Sequence, residues 1–366
     1  MVGVQRNRRR SSLLINGILA FICLLWTIPT FGLLISSFRT RFDIQTSGWW
    51  QILPHRDWKM VEEFKPDAAL DRTGVMEFSG AKGTFEELRE GIATADGKRV
   101  RWVGNRRAGR VQIEEQRWVV LTDFTLSNYQ NVITGKEYIL KNPDGSELKQ
   151  KGDDMGNAFL NSLAVVIPST VIPILLAAFA AYAFAWMRFP GRKFLFIIVV
   201  ALLVVPLQIA LIPILRDYQR LDLTGTFLAV WLAHTGFGLS LATYLLYNYI
   251  AELPRDILES AFIDGASHFT TFMRLILPLT VPALASFAIF QFLWVWNDYL
   301  ISMIFLGGRA ENEVLTMRLA AIVGSRGNDW HLLTAGAFIT MVLPLIVFFS
   351  LQRFFVRGLL AGSVKG

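Results

Sequence analysis

The sequence contains one cysteine and four histidines among 366 residues. The lone Cys23 excludes an intrachain disulfide, and the few Cys and His residues form no set with metal-ligand spacing. The chain has no Gly-x-x-x-x-Gly-Lys-Ser/Thr phosphate loop and no Gly-x-Ser-x-Gly element. Binding of ATP by this chain and an intramembrane hydrolase are therefore not expected.

Charged residues are also scarce, at 18% of the chain, against roughly a quarter in soluble domains. The hydrophobic residues make up 53% and are clustered in runs. About 20 apolar residues cross a bilayer. Six runs have that length and predict an all-α polytopic membrane protein with six transmembrane helices: Leu13–Ser36, Phe159–Trp186, Phe194–Ile214, Phe227–Ile250, Leu279–Phe305 and Leu332–Leu351.

The distribution of basic residues predicts the orientation. The first apolar run is too long for a cleaved signal peptide and follows a basic start, so we expect an uncleaved helix. Twelve Lys or Arg lie in the segments predicted to be cytoplasmic, and five lie in the two short outer loops. Both termini are therefore expected in the cytoplasm. The net charge of +7 reflects this topology, and no basic stripe interleaved with aromatics indicates a nucleic-acid partner.

A polar segment of about 120 residues, 37–156, separates the first two runs and holds 19 of the 29 acidic and 19 of the 36 basic residues. Its Val- and Trp-rich stretches alternate with turn signals such as Asp96-Gly97. We expect a small β-rich domain outside the membrane, with a disordered insert as the alternative. The predicted organisation is 1–36 (N-terminus and first helix), 37–156 (periplasmic insert), 157–354 (helices two to six) and 355–366 (cytoplasmic tail).

The loop between the fourth and fifth runs, 251–277, predicts two short helices joined by a tight turn. Pro254 suits a first helical turn, Gly265 suits the left-handed position after a helix end, and Ser267 suits the cap of the next helix. The loop is acidic, which disfavours a location on lipid headgroups. We expect a hairpin that rests on another protein.

Within this hairpin, Glu259-Ser260-Ala261, Asp264-Gly265-Ala266 and Leu277-Pro278-Leu279 resemble the EAA loop of permeases in bacterial binding-protein-dependent ABC importers. The family has alanine at the second motif position, where this chain has Ser260. Other elements are similar to the six-span subunit of the maltose-type, sugar-importing branch. They are Phe159–Ser162, Ala180–Ala183, Trp296-Asn297-Asp298 and the glycine-rich tail from Gly358.

The insert departs from the short first loop of that subunit and resembles the α-glucoside permease type by position and length. Two further stretches, Trp26–Leu33 and Trp231–Gly238, are also similar to that subgroup. The resemblance implies import of an α-glucoside or similar oligosaccharide, with a different sugar or a polyol as the alternative cargo.

The resemblance also implies a division of labour in which this chain forms half of the translocation pathway. The hairpin would dock on a cytoplasmic ATPase subunit, which would bind ATP and Mg, and this chain would bind no cofactor. The implied partners are a second homologous permease, two ATPase subunits, a periplasmic sugar-binding protein and the lipid bilayer of the bacterial inner membrane. The implied coupling residues are Glu259, Ser260, Ala261, Asp264, Gly265 and Ala266.

The two acids Glu259 and Asp264 have an alternative role, local capping within the hairpin. In the tail, Gly362, Ser363, Val364 and Lys365 are expected to contact the ATPase pair, with a frayed terminus as the alternative.

Trp296, Asn297 and Asp298 are candidates for lining the pathway, with helix packing as an equal alternative. Among the aromatics, Tyr182, Trp231 and Trp296 could stack on sugar rings, although aromatics at helical spacing usually belong to the core. For His234 and Gln291 we expect a role in helix packing, with their polar atoms hydrogen-bonded.

Three other classes fit less well. A secondary transporter driven by an ion gradient would show carboxylates in several spans and an internal repeat, and this sequence shows neither. A membrane-tethered sensor would need a cytoplasmic output domain, whereas the predicted cytoplasmic segments are short. An intramembrane enzyme would need a catalytic motif, and this sequence shows none.

Overall fold

The computed structural model describes residues 2–67, 70–120, 123–141, 145–325 and 329–361, with side chains described for 12–67, 70–120, 123–141, 145–323 and 329–353. The chain divides into two compact units. One comprises Met1–Ile35 and Phe42–Phe124, and the other comprises Ser36–Arg41 and Thr125–Gly366.

The first unit contains a long apolar helix and a small β-rich body. Helix α1 spans Val2–Ser37, and a short helix α2 and a 3₁₀ turn follow at Arg41–Thr46 and Trp49–Ile52. Six strands and helix α3 complete the unit: β1 His55–Phe64, β2 Met76–Phe78, β3 Ala81–Gly83, α3 Phe85–Glu90, β4 Ile92–Ala93, β5 Lys98–Val103 and β6 Arg110–Val119. The predicted β-rich insert is confirmed.

Buried and exposed residues alternate along the strands, and the buried ones form the core of this body. The strands β1, β6, β5 and β4 form an antiparallel sheet in that order, and β2 pairs with β3. In β5, Val100 and Trp102 are buried while their neighbours are more exposed, as expected for a strand with one face against a core. Leu88 of α3 is fully buried in the same cluster. Short strands with alternating buried and exposed residues therefore form a core without any disulfide.

Helix α3 is fixed at its start by a reciprocal cap. The Thr84 side chain accepts from the Glu87 N–H, and the Thr84 N–H donates to the Glu87 carboxylate at 2.7 Å. The latter bond holds the pKa of Glu87 below its ordinary value.

The second unit begins with α4, Ser127–Ile133, and a β-hairpin of β7, Glu137–Lys141, and β8, Glu147–Lys151. The remaining elements are helices: α5 Met155–Trp186, α6 Arg192–Ala201, α7 Leu207–Arg220, α8 Phe227–Ala251, α9 Arg255–Ile263, α10 His268–Thr271, α11 Leu277–Leu279, α12 Val281–Trp296, α13 Leu300–Leu306, α14 Leu315–Ser325 and α15 Trp330–Ala361.

Within the described residues, four helices are long and apolar enough to cross a membrane: Ser12–Ser37, Met155–Trp186, Phe227–Ala251 and Trp330–Arg353. Two bent pairs bring the number of spans to six if each pair crosses once. The third predicted span bends by 105° between α6 and α7. Val205 is extended and precedes Pro206, and a residue before proline is disfavoured in the helical region. The Val205-Pro206 pair therefore accounts for the interruption of this span.

The fifth predicted span is also interrupted. The segment His268–Leu279 meets Val281–Trp296 at 71°, after a π-helical turn at Phe272–Ile276. The chain breaks again after Trp296, before α13 begins. Proline residues at 278 and 282 lack the N–H that would continue the helical ladder. The segment is therefore a series of helices and not one rod.

Small residues bring the central helices together. Ala177, Ala178 and Ala181 of α5 are almost completely buried in one cluster with Ala242 and Leu246 of α8. Small side chains allow close approach of helices where lipid removes the hydrophobic driving force. The α5–α8 pair is the frame on which the following hairpin is held.

Candidate coupling site and the polar cluster of the spans

The first helix of the 251–277 hairpin, α9, is closed by a turn around Gly265. The Ala266 N–H donates to the Ala261 carbonyl at 3.0 Å, and the Gly265 N–H donates to the Phe262 carbonyl at 3.1 Å. These two bonds define a Schellman motif, which needs a left-handed residue after the helix. Gly265 has φ of +80°. The sequence prediction for this glycine is confirmed.

The second helix of the hairpin begins as predicted. The Ser267 hydroxyl accepts from the Thr270 N–H at 3.2 Å, while Ser267 itself is extended. Pro254 precedes α9 at its N-terminal boundary. The Ser260 hydroxyl, within the motif, donates to the Asp256 carbonyl of its own helix. Local signals thus determine both helices and the turn between them.

The hairpin packs on the spans through several apolar side chains and a hydrogen bond. Leu258 of α9 is fully buried in a cluster with Ile250, Phe272 and Ile276. The Tyr182 hydroxyl of α5 lies 2.9 Å from Nδ1 of His268. The hairpin therefore packs directly against residues of α5 and α8.

The other face of the hairpin is apolar and exposed. Ile263 is 85% exposed and Phe269 is 66% exposed. The side chains of Glu259 and Asp264 are exposed, and neither carboxylate has a hydrogen bond or ion pair in the described part of the chain. The capping alternative for these acids finds no support in their contacts. The arrangement is an apolar knob rimmed by two free carboxylates, suited to a protein partner.

The predicted tail contact, Gly362, Ser363, Val364 and Lys365, lies outside the described residues.

The three candidate pathway residues after α12 have different surroundings. Trp296 is 4% exposed and donates its indole N–H to the Thr340 carbonyl at 2.8 Å. The Asp298 carboxylate accepts from the Ser302 N–H at 2.9 Å and from the Ile301 N–H at 3.3 Å, at the start of α13. These contacts favour helix packing for both residues. Asn297 is exposed, and pathway lining stays a prediction for it.

A buried polar cluster connects α12 with α5 and α8. The Gln291 side chain donates to the Ser169 carbonyl at 3.1 Å, and Gly238 leaves it room, since a Cβ there would lie 2.7 Å from Gln291 Oε1. His234 is fully buried, with Nε2 3.7 Å from the Asp298 carboxylate. Neither ring nitrogen has a hydrogen bond among the described residues. The predicted hydrogen-bonded packing is confirmed for Gln291 but not for the His234 ring.

The aromatic residues named from the sequence are occupied in packing. Tyr182 is 3% exposed, and Trp231 donates its N–H to the Ala164 carbonyl. Sequence reasoning missed Trp294, which lines a cavity and lies edge-on to His234, with ring centroids 5.9 Å apart. No sequence signal separates it from Trp296, since only the neighbouring helices decide which ring is covered.

The pattern of the family described as "Binding-protein-dependent transport system inner membrane component" matches residues 169–360, which include the whole hairpin. The chain belongs to this family. The resemblance drawn from its EAA loop is confirmed, and the permease is a multi-pass inner-membrane subunit of an ABC importer.

Curated relatives match almost the entire permease. It is 47% identical to the osmoprotective compounds uptake permease protein GgtD of Synechocystis sp., over 94% of this chain and 89% of that protein. It is 46% identical to the alpha-glucoside transport system permease protein AglG of Rhizobium meliloti, over 94% of this chain and 95% of that protein. Both matches therefore extend far beyond the hairpin.

A solved structure supports the fold. A bacterial ABC transporter involved in the import of alginate contains a chain that matches this permease with a TM-score of 0.50 at 19% identity. The match covers 64% of this chain and 81% of that one. It shows that the helical fold is shared with a chain of that transporter.

Proposed function

We propose that this permease forms half of a pathway that imports an α-glucoside or similar oligosaccharide, driven by ATP hydrolysis on a separate subunit. The supporting relative is the alpha-glucoside permease AglG, which is 46% identical along nearly its full length. The observation that carries the coupling role is the hairpin, whose exposed apolar knob and free carboxylates have no partner within this chain's described part.

The proposed complex contains this permease, a second homologous permease, two ATPase subunits and a periplasmic sugar-binding protein. ATP and Mg bind to the ATPase subunits, and this chain binds no cofactor. Glu259, Ser260, Ala261, Asp264, Gly265 and Ala266 form the coupling contact, and the tail residues Gly362, Ser363, Val364 and Lys365 add a second one. Both termini lie in the cytoplasm.

Coupling in this proposal is a rigid-body movement. Because Leu258 and the Tyr182–His268 bond hold the hairpin on α5 and α8, displacement of the hairpin by closing ATPase subunits rotates those spans as a unit. The exposed acids interact with basic side chains or backbone N–H groups of the ATPase.

A second candidate cargo follows from the 47% identity to a permease for osmoprotective compounds. The experiment that separates the two is performed on the reconstituted complex. Each soluble compound is offered with the binding protein, and stimulated ATP hydrolysis and uptake are measured for α-glucosides and for osmoprotective compounds. The compound class that stimulates both activities is the cargo.

The complex itself is tested by affinity purification of the tagged chain from native membranes in mild detergent, with partners identified by mass spectrometry. We expect an ATPase subunit, a second permease and a binding protein. Recovery of this chain alone, even after chemical crosslinking, would contradict the proposed assembly.

A further inference from the structure

A cavity of about 600 Å³ lies among α7, α8, α12 and the 3₁₀ turn Leu202–Val204 that precedes α7. Apolar side chains form most of its wall, and the remaining lining includes Asp217, Tyr218, Ser240 and Trp294. Its size and its mostly apolar wall with a few polar groups are typical of pockets for small organic ligands.

Trp294 differs from the other tryptophans on the central helices. Trp186, Trp231 and Trp296 each donate the indole N–H to a backbone carbonyl, at 3.1, 2.9 and 2.8 Å. Trp294 is 39% exposed, and its N–H has no partner in the described part of the chain. A tryptophan at an apolar surface usually finds a partner for this group.

Two hydroxyl groups share this property. Ser240 is only 8% exposed and lines the cavity, and Tyr218 lines it from α7. Neither hydroxyl forms a hydrogen bond within the described chain. A polar group left without a partner among apolar helices costs free energy. The cavity therefore presents the Trp294 ring together with three polar groups that have no hydrogen bond in the described chain.

The Trp294 ring packs against a buried side chain. His234 lies edge-on to it, with an interplanar angle of 86°, and is fully buried. His234 in turn contacts Asp298, at 3.7 Å. An aromatic face held by a buried neighbour presents a defined surface to a ligand.

We propose that this cavity binds a pyranose ring of the transported sugar, stacked on Trp294, so that this permease contacts its cargo directly. A pyranose has an apolar C–H face that packs on an aromatic ring and hydroxyls at its rim that pair with Ser240, Tyr218 and the Trp294 N–H. An acyl chain offers no partner for those three groups. The inference rests on the proposed import of a sugar.

Gly236 provides the sharpest test. It lines the cavity from α8, and a Cβ at this position would meet no atom within 4 Å. The change Gly236→Leu adds a bulky side chain to the cavity wall at a position where its Cβ has open space. It also replaces a helical glycine, which favours the helix. We expect the complex to assemble normally and uptake of maltose into proteoliposomes to be abolished. The matched control is Gly17→Leu, at a glycine of α1 that also has open space around it.

Substitution of the ring tests the stacking contact. Trp294→Leu retains an apolar side chain but removes the aromatic face, and we expect uptake of maltose to fall about two- to tenfold. Trp294→Phe should recover most of the rate. The control is Trp330→Leu, at an exposed tryptophan that does not line the cavity.

Direct contact is checked with a diazirine derivative of maltose, which is photoactivated during turnover. We expect labelled peptides that contain Trp294 or Ser240. Unchanged uptake in both Gly236→Leu and Trp294→Leu, or labelling confined to the second permease, would overturn the inference and leave sugar import intact. If the wild-type complex imports no sugar of any class, the proposed function fails, and this inference fails with it.

Discussion

The Tyr182 hydroxyl and Nδ1 of His268 lie 2.9 Å apart, and this hydrogen bond joins a membrane span to the second helix of the coupling hairpin. The Tyr182 ring also packs against Phe272, with centroids 5.5 Å apart. The hairpin thus contacts α5 through a polar bond and through ring packing. The two contributions can be separated by removing the hydroxyl alone.

The first prediction concerns this hydroxyl. Tyr182→Phe retains the ring packing and removes a hydrogen bond worth about 0.5–1.5 kcal/mol. Because the hairpin is then held less firmly, we expect less sugar imported per ATP hydrolysed, measured together in proteoliposomes. Tyr247→Phe is the control, since the Tyr247 hydroxyl has no hydrogen bond in the described chain. An unchanged ratio in Tyr182→Phe would show that ring packing suffices for coupling.

A second prediction separates the buried side of α9 from its exposed side. Leu258 is fully buried, so Leu258→Ala should destabilise the complex by about 2–5 kcal/mol and lower its melting temperature. Ile263→Ala, at a residue 85% exposed, should leave the melting temperature of the isolated permease unchanged. It should instead reduce the amount of ATPase recovered with the tagged chain. Equal recovery of the ATPase would remove the apolar knob from the proposed interface.

A third prediction concerns the break after α12. Asp298 accepts two backbone N–H bonds at the start of α13, and a carboxylate at a helix N-terminus is stabilising. Asp298→Ala should therefore cost about 0.5–2 kcal/mol of stability, by analogy with the loss of an N-cap, and Asp298→Asn should cost less. Thermal unfolding followed by intrinsic fluorescence is the measurement.

Asn297 is the matched neighbour for this test. It is exposed, and within the described residues its side chain bonds only to the Leu293 carbonyl of the preceding helix α12. Asn297→Ala should leave the unfolding temperature unchanged, so a loss of uptake in that variant reports pathway lining. If Asp298→Ala unfolds at the wild-type temperature while uptake is lost, the packing interpretation of Asp298 is wrong.

The hairpin could be predicted residue by residue because its signals are local. Gly265 at the left-handed position and Ser267 at the cap are properties of a few adjacent residues. The six apolar segments were predictable for a similar reason, since bilayer thickness determines the length of a run. Pro206 is a local signal for a helix break, but the angle of 105° between α6 and α7 could not be predicted, because it depends on how the helices pack.

The cavity could not be predicted because it depends on how helices face one another. Trp294 and Trp296 are two residues apart and therefore point about 200° apart around α12. One lies against α15 through Thr340, and the other faces a cavity. The sequence contains two identical side chains here, and only the arrangement of α7, α8 and α15 gives them different roles.

The last prediction tests the turn of the hairpin. Gly265 has φ of +80° and open space around its Cα, so a substitution there is opposed by backbone strain and not by a clash. A left-handed conformation costs an L-residue about 1–2 kcal/mol, and a β-branched residue resists it most. Gly265→Val should therefore distort the Schellman turn, abolish uptake and leave the permease in the membrane. Gly265→Asn should retain part of the uptake, because asparagine tolerates this conformation. Membrane fractionation with uptake assays measures both, and normal uptake in Gly265→Val would show that the turn geometry is not needed for coupling.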